Sequence, residues 1–378
     1  MASSTPNRVA VVGSAQTVLR PAWSDRQHVD LISEAVVGAL LGTGLRIEDI
    51  DFVIDSGSDF LDGRSISNCG FLGAMGAHHK EESRVEEDGI WAALYATTKI
   101  ASGPARVGLV IAYSKSSESD PRNFWTSLAE PFTQRPVGLD QNSAAGLYAQ
   151  RYLNDAGMKA SALDAVSRYA WTCATRNRMV DADIAAVHPE FWTAYIATPL
   201  RRADLARPVD GAVAVVLASE TVARQMGVRP VWITGLGAAM DQHFIAGREA
   251  TSFPAAAAAA KQAYRNAGVE GASVFDTIEV SAESTVGELM VLESLGLARQ
   301  GTAIDLYADG AGGRLNRSGG ALPANVVMAS GLLRMHEVAT QLSGRSDHAP
   351  EGARRGLAHG TGGLGMQNHC VITMEADS

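Results

Sequence analysis

Residues 315–342 read LNRSGGALPANVVMASGLLRMHEVATQL. The Gly319-Gly320 pair marks a turn. A run of small residues follows, and the apolar spacing from Leu322 to Leu342 reads as a helix packed into a C-terminal half-domain. The loop leading into that helix projects Asn325 toward a pocket. Outward from this stretch, strand and helix signals alternate in both directions, the pattern of a layered α/β fold.

Upstream, Pro254 to Ala267 is a well-marked helix. Ser252 stands where a cap belongs, Pro254 suits the first turn, and Gly268 closes it. Strands are expected at Val231–Ile233, at Thr277–Ser281 and near Gly356 and Val371, with a helix at Gly287–Leu295. The earlier part repeats the scheme: strands at Val9–Val12, Asp51–Ile54, Arg106–Ala112 and Ala212–Ala218, and helices at His28–Leu41 and Ile90–Ser102. Asp88-Gly89 starts the second of those helices. From about 115 to 200 the pattern gives way to aromatic and Pro-containing loops with two helices, near 143–156 and 162–178. The expected organisation is a first half, 1–222, with a loop domain inserted at about 115–200, and a second half, 223–378, with the same order of elements.

The totals narrow the function. A net charge of −9 supplies no broad basic face for nucleic acid. Three scattered cysteines, Cys69, Cys173 and Cys370, make neither a disulfide framework nor a zinc site, and all three read as structural. His78-His79-Lys80 reads as a solvated turn, since adjacent side chains point apart, and no metal site is expected. The glycine-rich GTGGLG follows no strand–helix nucleotide unit. The N-terminus reads as a short tail before a strand, and no apolar run is long enough to span a membrane, so a soluble cytoplasmic protein is expected.

Four stretches, in order, resemble the thiolase superfamily. AVSRYAWTCATRN is similar to its loop-domain helix, and ATPLRRADLARPVDGAVAVVLASETVARQMG to the segment entering the last strand of its first half. TIEVSAESTVGELMVLESLGL is similar to the segment bearing its HDCF or NEAF motif, and LNRSGGALPANVVMASG to NPSGG followed by GHPxGATG. The resemblance covers nearly the whole chain. It implies a five-layered α/β/α/β/α thiolase-like fold of two similar halves plus a loop domain, a dimer or tetramer with a homodimer expected first, and a coenzyme A thioester as substrate with no tightly bound cofactor. In that family a cysteine thiolate at a helix N-terminus takes the acyl group, a histidine activates it, and a second cysteine moves the substrate proton.

This sequence departs at each of those places. Gly89 stands where the VExxC cysteine belongs. Ser281-Ala282-Glu283-Ser284 replaces HDCF, Ala324-Asn325-Val326 replaces GHP, and His359-Gly360-Thr361 falls near the C-terminal CxG. An ordinary thiolytic or condensing enzyme is not expected. The replacements are polar, however, and they are the candidate catalytic residues. His359, read as part of a Gly-rich loop with room for a ligand, is an acid/base candidate. Asn325 is a donor for an oxyanion. Glu283 and Asp88 are candidate bases, with Asp88 also a natural helix cap. Tyr307 joins them because the thiolase-like steroid side-chain aldolases, which also lack the cysteine, use tyrosine for proton transfer. Arg201, Arg202, Arg176 and Arg178 are candidates for the coenzyme A phosphates.

The expected function is carbon–carbon bond chemistry on an acyl-CoA without a cysteine nucleophile: retro-aldol cleavage of a β-hydroxyacyl-CoA, with a steroid side chain as one candidate. That branch usually pairs with a small OB-fold, zinc-ribbon partner. One alternative is an acetyl-CoA acetyltransferase with a displaced nucleophile; another is a non-catalytic subunit of an acyltransferase complex.

Overall fold

The computed structural model describes residues 7–308 and 313–377; the tail read at residues 1–6 lies outside the described residues. The first half holds β1 (Val9–Gln16), α1 (His28–Leu40), β2 (Phe52–Ser56), α2 (Asp59–Asp62), α3 (Leu72–Met75), β3 (Glu81–Val85), α4 (Gly89–Ala101) and β4 (Val107–Lys115). The excursion then holds α5 (Pro121–Leu128), α6 (Gln141–Asp155), α7 (Asp164–Ala174), α8 (Ala182–Ala185) and a ribbon of β5 (Tyr195–Ala197) and β6 (Leu200–Arg201). Strand β7 (Asp210–Ser219) and α9 (Glu220–Ala223) close this half. The second half holds β8 (Val231–Met240), α10 (Pro254–Ala267), β9 (Thr277–Val280), α11 (Thr285–Ser294), α12 (Asp305–Ala308), α13 (Ser330–Leu342), β10 (Arg355–Gly362) and β11 (Asn368–Ala376).

The strands run in the order β3-β2-β4-β7-β1-β8-β11-β10-β9. In the first half β1 is antiparallel to β7, β7 antiparallel to β4, and β4 parallel to β2. In the second half β8 is antiparallel to β11, β11 antiparallel to β10, and β10 parallel to β9. The two halves therefore repeat one pairing scheme. Within the nine-stranded sheet the described residues of the two halves meet at the short β1–β8 contact, Ala10↔Trp232 and Val11↔Val231.

Three cores separate the layers. Leu31 and Ile32 of α1 pack on Leu109, Ile111, Ala214 and Val216. Ile90, Ala93 and Ala96 of α4 share a central core with Leu332, Met335 and Val338 of α13 and with the inner faces of both sheet halves. Ala256, Ala259 and Ala263 of α10 pack with α11 and with Tyr148, Tyr152 and Trp171 of the excursion. Small side chains on α10 let its backbone approach β8 closely. This is the five-layer arrangement, with the loop domain resting on the outer helices of the second half.

Helix α13 begins at Ser330, not Leu322, because residues 321–329 form turns and a bridge pairing Asn325 with Pro208. All of α13 is buried, since sheet lies on both sides of it. Its polar residues are satisfied internally. Arg334 sits 3.1 Å from Glu279, and Gln341 donates to the other Glu279 oxygen at 2.9 Å. Helix α10 is capped by the backbone of Phe253, not by Ser252; Gly268 ends it in the left-handed conformation, as read.

Candidate active site

Two cavities meet at three shared side chains. The outer, about 690 Å³, lies against the loop domain and is lined by Arg122, Asp183, His188, Phe191, Arg202 and Arg207 among others. The inner, about 330 Å³, reaches Glu87, Asp88, Phe124, His243, Thr361 and Asn368. Trp125, Glu283 and Asn325 line both.

One extended segment holds this junction. The Ala206 amide donates to the Glu283 carbonyl at 3.0 Å, the Asn325 amide to the Arg207 carbonyl at 2.8 Å, and the Val209 amide to the Asn325 carbonyl at 3.0 Å. Residues from the first half thus set the register of both loops of the second. Ser284 caps α11 by accepting the Gly287 amide at 3.0 Å, which turns the preceding Glu283 out toward the cavities. The Asn325 Nδ2 then donates to both Glu283 oxygens, at 3.2 and 3.1 Å. Burial raises the Glu283 carboxyl to about 7; the Asn325 bond opposes this, and the charge of Asp88 adds to it.

Asp88 caps α4, as its position implied. One oxygen accepts the Ile90 amide at 2.9 Å and the other the Gly331 amide at 2.8 Å. It therefore ties the N-termini of the two inner helices together across the inner cavity. Burial lifts its carboxyl to about 6 despite those bonds. Both oxygens are engaged, so Asp88 positions the floor of the site.

The family's nucleophile position is closed as well as empty. A Cβ on Gly89 would lie 2.5 Å from the Ala112 Cβ and 2.9 Å from the Leu332 Cβ. Of the three cysteines, Cys69 is exposed, Cys173 and Cys370 are buried, and none lines either cavity.

Other expected site residues are placed elsewhere. His359 is not in an open loop. It lies within β10, fully buried, with Nε2 3.0 Å from His369 Nδ1, and burial drives its imidazole down to about 3. The Gly and Thr around it form strand because β11 pairs along the whole segment. Tyr307 is buried with its hydroxyl donating to Glu288, and it lines neither cavity. Arg201 is held by Asp204 and Asp164, which leaves its guanidinium no reach into the outer cavity. Arg176 and Arg178 line a separate pocket of about 230 Å³ with His336 and His348. Arg202 does line the outer cavity. His78 and His79 sit on an exposed turn.

The sequence reading passed over Glu87, His243 and Thr361 in the inner cavity and Arg207 and His188 in the outer one. Glu87 was findable, as the neighbour of Asp88 before a helix start. Thr361 stood in the segment aligned near the C-terminal CxG without being taken as a candidate, and nothing in the text around His243 marks it. Among the described residues no group of three His, Cys, Asp or Glu could hold a metal ion, and no helix is long and apolar enough to cross a membrane.

Comparison with known proteins agrees with this architecture. The family described as thiolase C-terminal domain-like matches residues 237–375. An acetyl-CoA acetyltransferase of Methanothermobacter thermautotrophicus is 25% identical over 94% of this chain and 97% of its own length. A 17-hydroxy-3-oxo-4-pregnene-20-carboxyl-CoA lyase of Mycobacterium tuberculosis is 27% identical over 92% and 95%. Among solved structures, the Ltp2-ChsH2(DUF35) aldolase superposes with a TM-score of 0.82 at 22% identity, covering 99% of each chain. Residues 237–375 thus match the thiolase C-terminal domain-like family, and they do so within a thiolase-like fold that spans the chain.

Proposed function

We propose that this chain is an acyl-CoA carbon–carbon lyase that cleaves a β-hydroxyacyl-CoA by a retro-aldol reaction. The observation that carries this reading is the pairing of a closed nucleophile position at Gly89 with a carboxylate–amide pair at the meeting of two cavities. Acyl transfer needs a nucleophile; retro-aldol cleavage needs a base at the hydroxyl and a donor at the thioester oxygen. The coenzyme A arm runs through the outer cavity, where Arg202 and Arg207 meet its phosphates. The hydroxyl-bearing part enters the inner cavity, between Phe124, Trp125 and Leu128. The lyase among the relatives makes a steroid side chain the acyl class to try first.

Glu283 takes the hydroxyl proton. A carboxyl with a pKa of about 7 suits that task near neutral pH. The Cα–Cβ bond breaks, its electron pair stays on Cα as the enolate, and Cβ leaves as a ketone or aldehyde. Asn325 Nδ2 bonds the charged Glu283 in the free site. Once Glu283 is neutral its hold on that amide weakens, and an N–H is released toward the thioester oxygen as charge builds there. The assembly proposed is a homodimer carrying a small second subunit, after the two-component aldolase among the structural neighbours.

The test is cleavage of a steroid-side-chain β-hydroxyacyl-CoA, followed by release of the ketone and the shortened acyl-CoA. Mass spectrometry on the same mixture is expected to find no acyl adduct. An adduct on Cys69, Cys173 or Cys370 would overturn the reading, and full activity in Glu283→Gln would remove Glu283 as the base. If turnover occurs only beside an active thiolase and cavity variants are silent, the chain is a non-catalytic subunit.

A further inference from the structure

The reaction leaves a second proton to place. After the bond breaks, the enolate carbon must be protonated before the shortened acyl-CoA can leave. Resting on the retro-aldol reading, we propose that Glu87 is the acid that protonates Cα, making it a second catalytic residue distinct from Glu283.

Geometry separates Glu87 from the other acids around the inner cavity. Glu86 is exposed and lies 3.4 Å from Arg84, and Asp88 spends both oxygens on helix amides. Glu87 is partly buried in the wall of the inner cavity alone, so it faces the acyl portion without reaching the coenzyme A cleft. Its carboxyl lies directly over Gly362: a Cβ there would stand 1.7 Å from Glu87 Oε1. Only glycine at 362 leaves the carboxyl that berth.

Asn368 supplies an independent sign. Its Nδ2 donates to Glu87 Oε2, while its Oδ1 is buried and has no hydrogen-bond partner among the described residues. An amide that offers Glu87 both a donor and an idle acceptor fits a carboxyl that alternates between charged and protonated forms. The charged form accepts from Nδ2. The protonated form donates to Oδ1 after rotation of the amide. A buried acceptor left idle is unfavourable, and a protonated Glu87 would satisfy it. Burial, with the charge of Asp88 acting in the same direction, raises the Glu87 carboxyl to about 7, against the pull of the Asn368 bond. A substantial fraction is therefore protonated at neutral pH.

The step balances. Glu283 holds the former hydroxyl proton, the Glu87 O–H bond breaks as a C–H bond forms at Cα, and Glu87 is left as carboxylate. After product release Glu283 loses its proton to solvent and Glu87 regains one. No oxidant, reductant or co-reactant enters.

The test uses acetyl-CoA in D2O as the probe of the Cα step and an acid-quenched single turnover as the probe of bond cleavage. Wild type is expected to exchange the acetyl hydrogens for deuterium. Glu87→Gln, which keeps the side-chain size, is expected to slow both exchange and steady-state turnover by about 10²-fold or more. The first-turnover burst of ketone should survive in it. Glu87→Asp, a shorter acid, should recover part of the exchange. Unchanged exchange in Glu87→Gln would overturn the proposal even if Glu283→Gln abolishes ketone release, and the lyase reading would then stand without it. No ketone release from wild type would bring down the lyase reading and this proposal together.

Discussion

The second half of the molecule contains two side-chain pairs with nearly the same spacing and opposite fates. His359 and His369 meet at 3.0 Å, and Asn325 meets Glu283 at 3.1 Å. The histidines are fully buried, and their outer nitrogens, His359 Nδ1 and His369 Nε2, have no partner among the described residues. The carboxylate and amide stand where two cavities join. Strand alternation accounts for the difference. In β10, Leu357 faces the outer helices and Ala358 the inner core, so His359 turns outward, where the ring of its partner His369 lies tilted against Phe253 with centroids 5.0 Å apart. Glu283 and Asn325 sit on loops at the ends of elements, where a scaffold can present a side chain to a ligand. Intrinsic chemistry would have favoured the imidazoles, and access reverses that order.

The sharpest way to break this comparison is to exchange the two pairs as targets. Glu283→Gln should lower kcat/KM for β-hydroxyacyl-CoA cleavage by about 10² to 10⁴, the usual worth of a general base. Asn325→Ala should lower it by about 10 to 10², through loss of both base orientation and oxyanion contact. His359→Gln should leave kcat/KM within a few-fold in whatever protein folds. A large kinetic loss in His359→Gln at native stability, measured by thermal unfolding of the same preparation, would reverse the assignment.

Gly89→Cys tests whether the missing nucleophile can be put back. The added Cβ would collide with Ala112 on β4 and Leu332 on α13, two rigid elements of the central core. Overpacking of this kind costs about 1–3 kcal/mol, and the two closest atoms are Cβ atoms that no rotamer change can move away. Lower soluble yield, a reduced Tm and no thiolase activity are expected. A stable variant that forms an acyl adduct would show that the site retains its thiolase geometry.

The fold was legible because its signals were local and repeated. Pro254–Ala267 was bounded correctly from a proline, an alanine run and a glycine. The apolar runs at Val107–Lys115 and Asp210–Ser219 are buried along their whole length, as strands with covered faces must be. The site was legible in part. Glu283 and Asn325 stood out in the text as polar replacements at motif positions, and both line the two cavities. Their contact with each other, across 42 residues, depends on the 206–209 segment of the other half, and no spacing rule encodes that. His359 was misplaced because LAHGTGGLG has the composition of a loop, while its hydrogen bonds come from Asn368–Glu375, a partner strand that composition does not reveal. Arg201 was misread because a free and a paired arginine look alike in text; Asp204, three residues on, was the clue.

The two pairs should also answer pH in opposite directions. Burial lowers His359 to about 3 and holds His369 well below the ordinary imidazole value. Their contribution to stability is complete above the unfolded value near 6.5 and is lost as pH falls below it, because the unfolded chain takes up protons that the folded one refuses. The slope is about 1.4 kcal/mol per pH unit for each such histidine. Glu283 is raised to about 7, so below that pH the folded chain binds the extra proton, and stability rises as pH falls toward the unfolded value near 4.5. Urea titrations from pH 7.5 to 4.5 separate the two. His359→Leu/His369→Leu should flatten the acid loss below pH 6.5, and Glu283→Gln should steepen it. The same slope in the double histidine variant as in wild type would show that the imidazoles protonate in the folded state.

The smallest effect expected is at Met328, and it bears on where strain is kept. Aligned with GHPxGATG, Met328 stands at the second glycine, yet it holds a left-handed φ of 71°. Its carbonyl accepts the Gly89 amide at 2.8 Å, which fixes the turn, and its side chain lines the inner cavity. A non-glycine residue in that region costs about 1 kcal/mol, and such costs gather at functional sites. Met328→Gly should relieve the strain, but it adds freedom to the unfolded chain worth roughly the same amount. A Tm within about 2 °C of wild type is therefore expected. What should change is selectivity: without the methionine the inner cavity is wider, so KM should fall for bulkier acyl chains and rise for short ones. A stability gain well above 1 kcal/mol with unaltered selectivity would mean that the methionine only strains the turn. A shift in chain-length preference at constant Tm would place the strain in the service of the Glu283–Asn325 pocket, with no counterpart beside the sealed histidines.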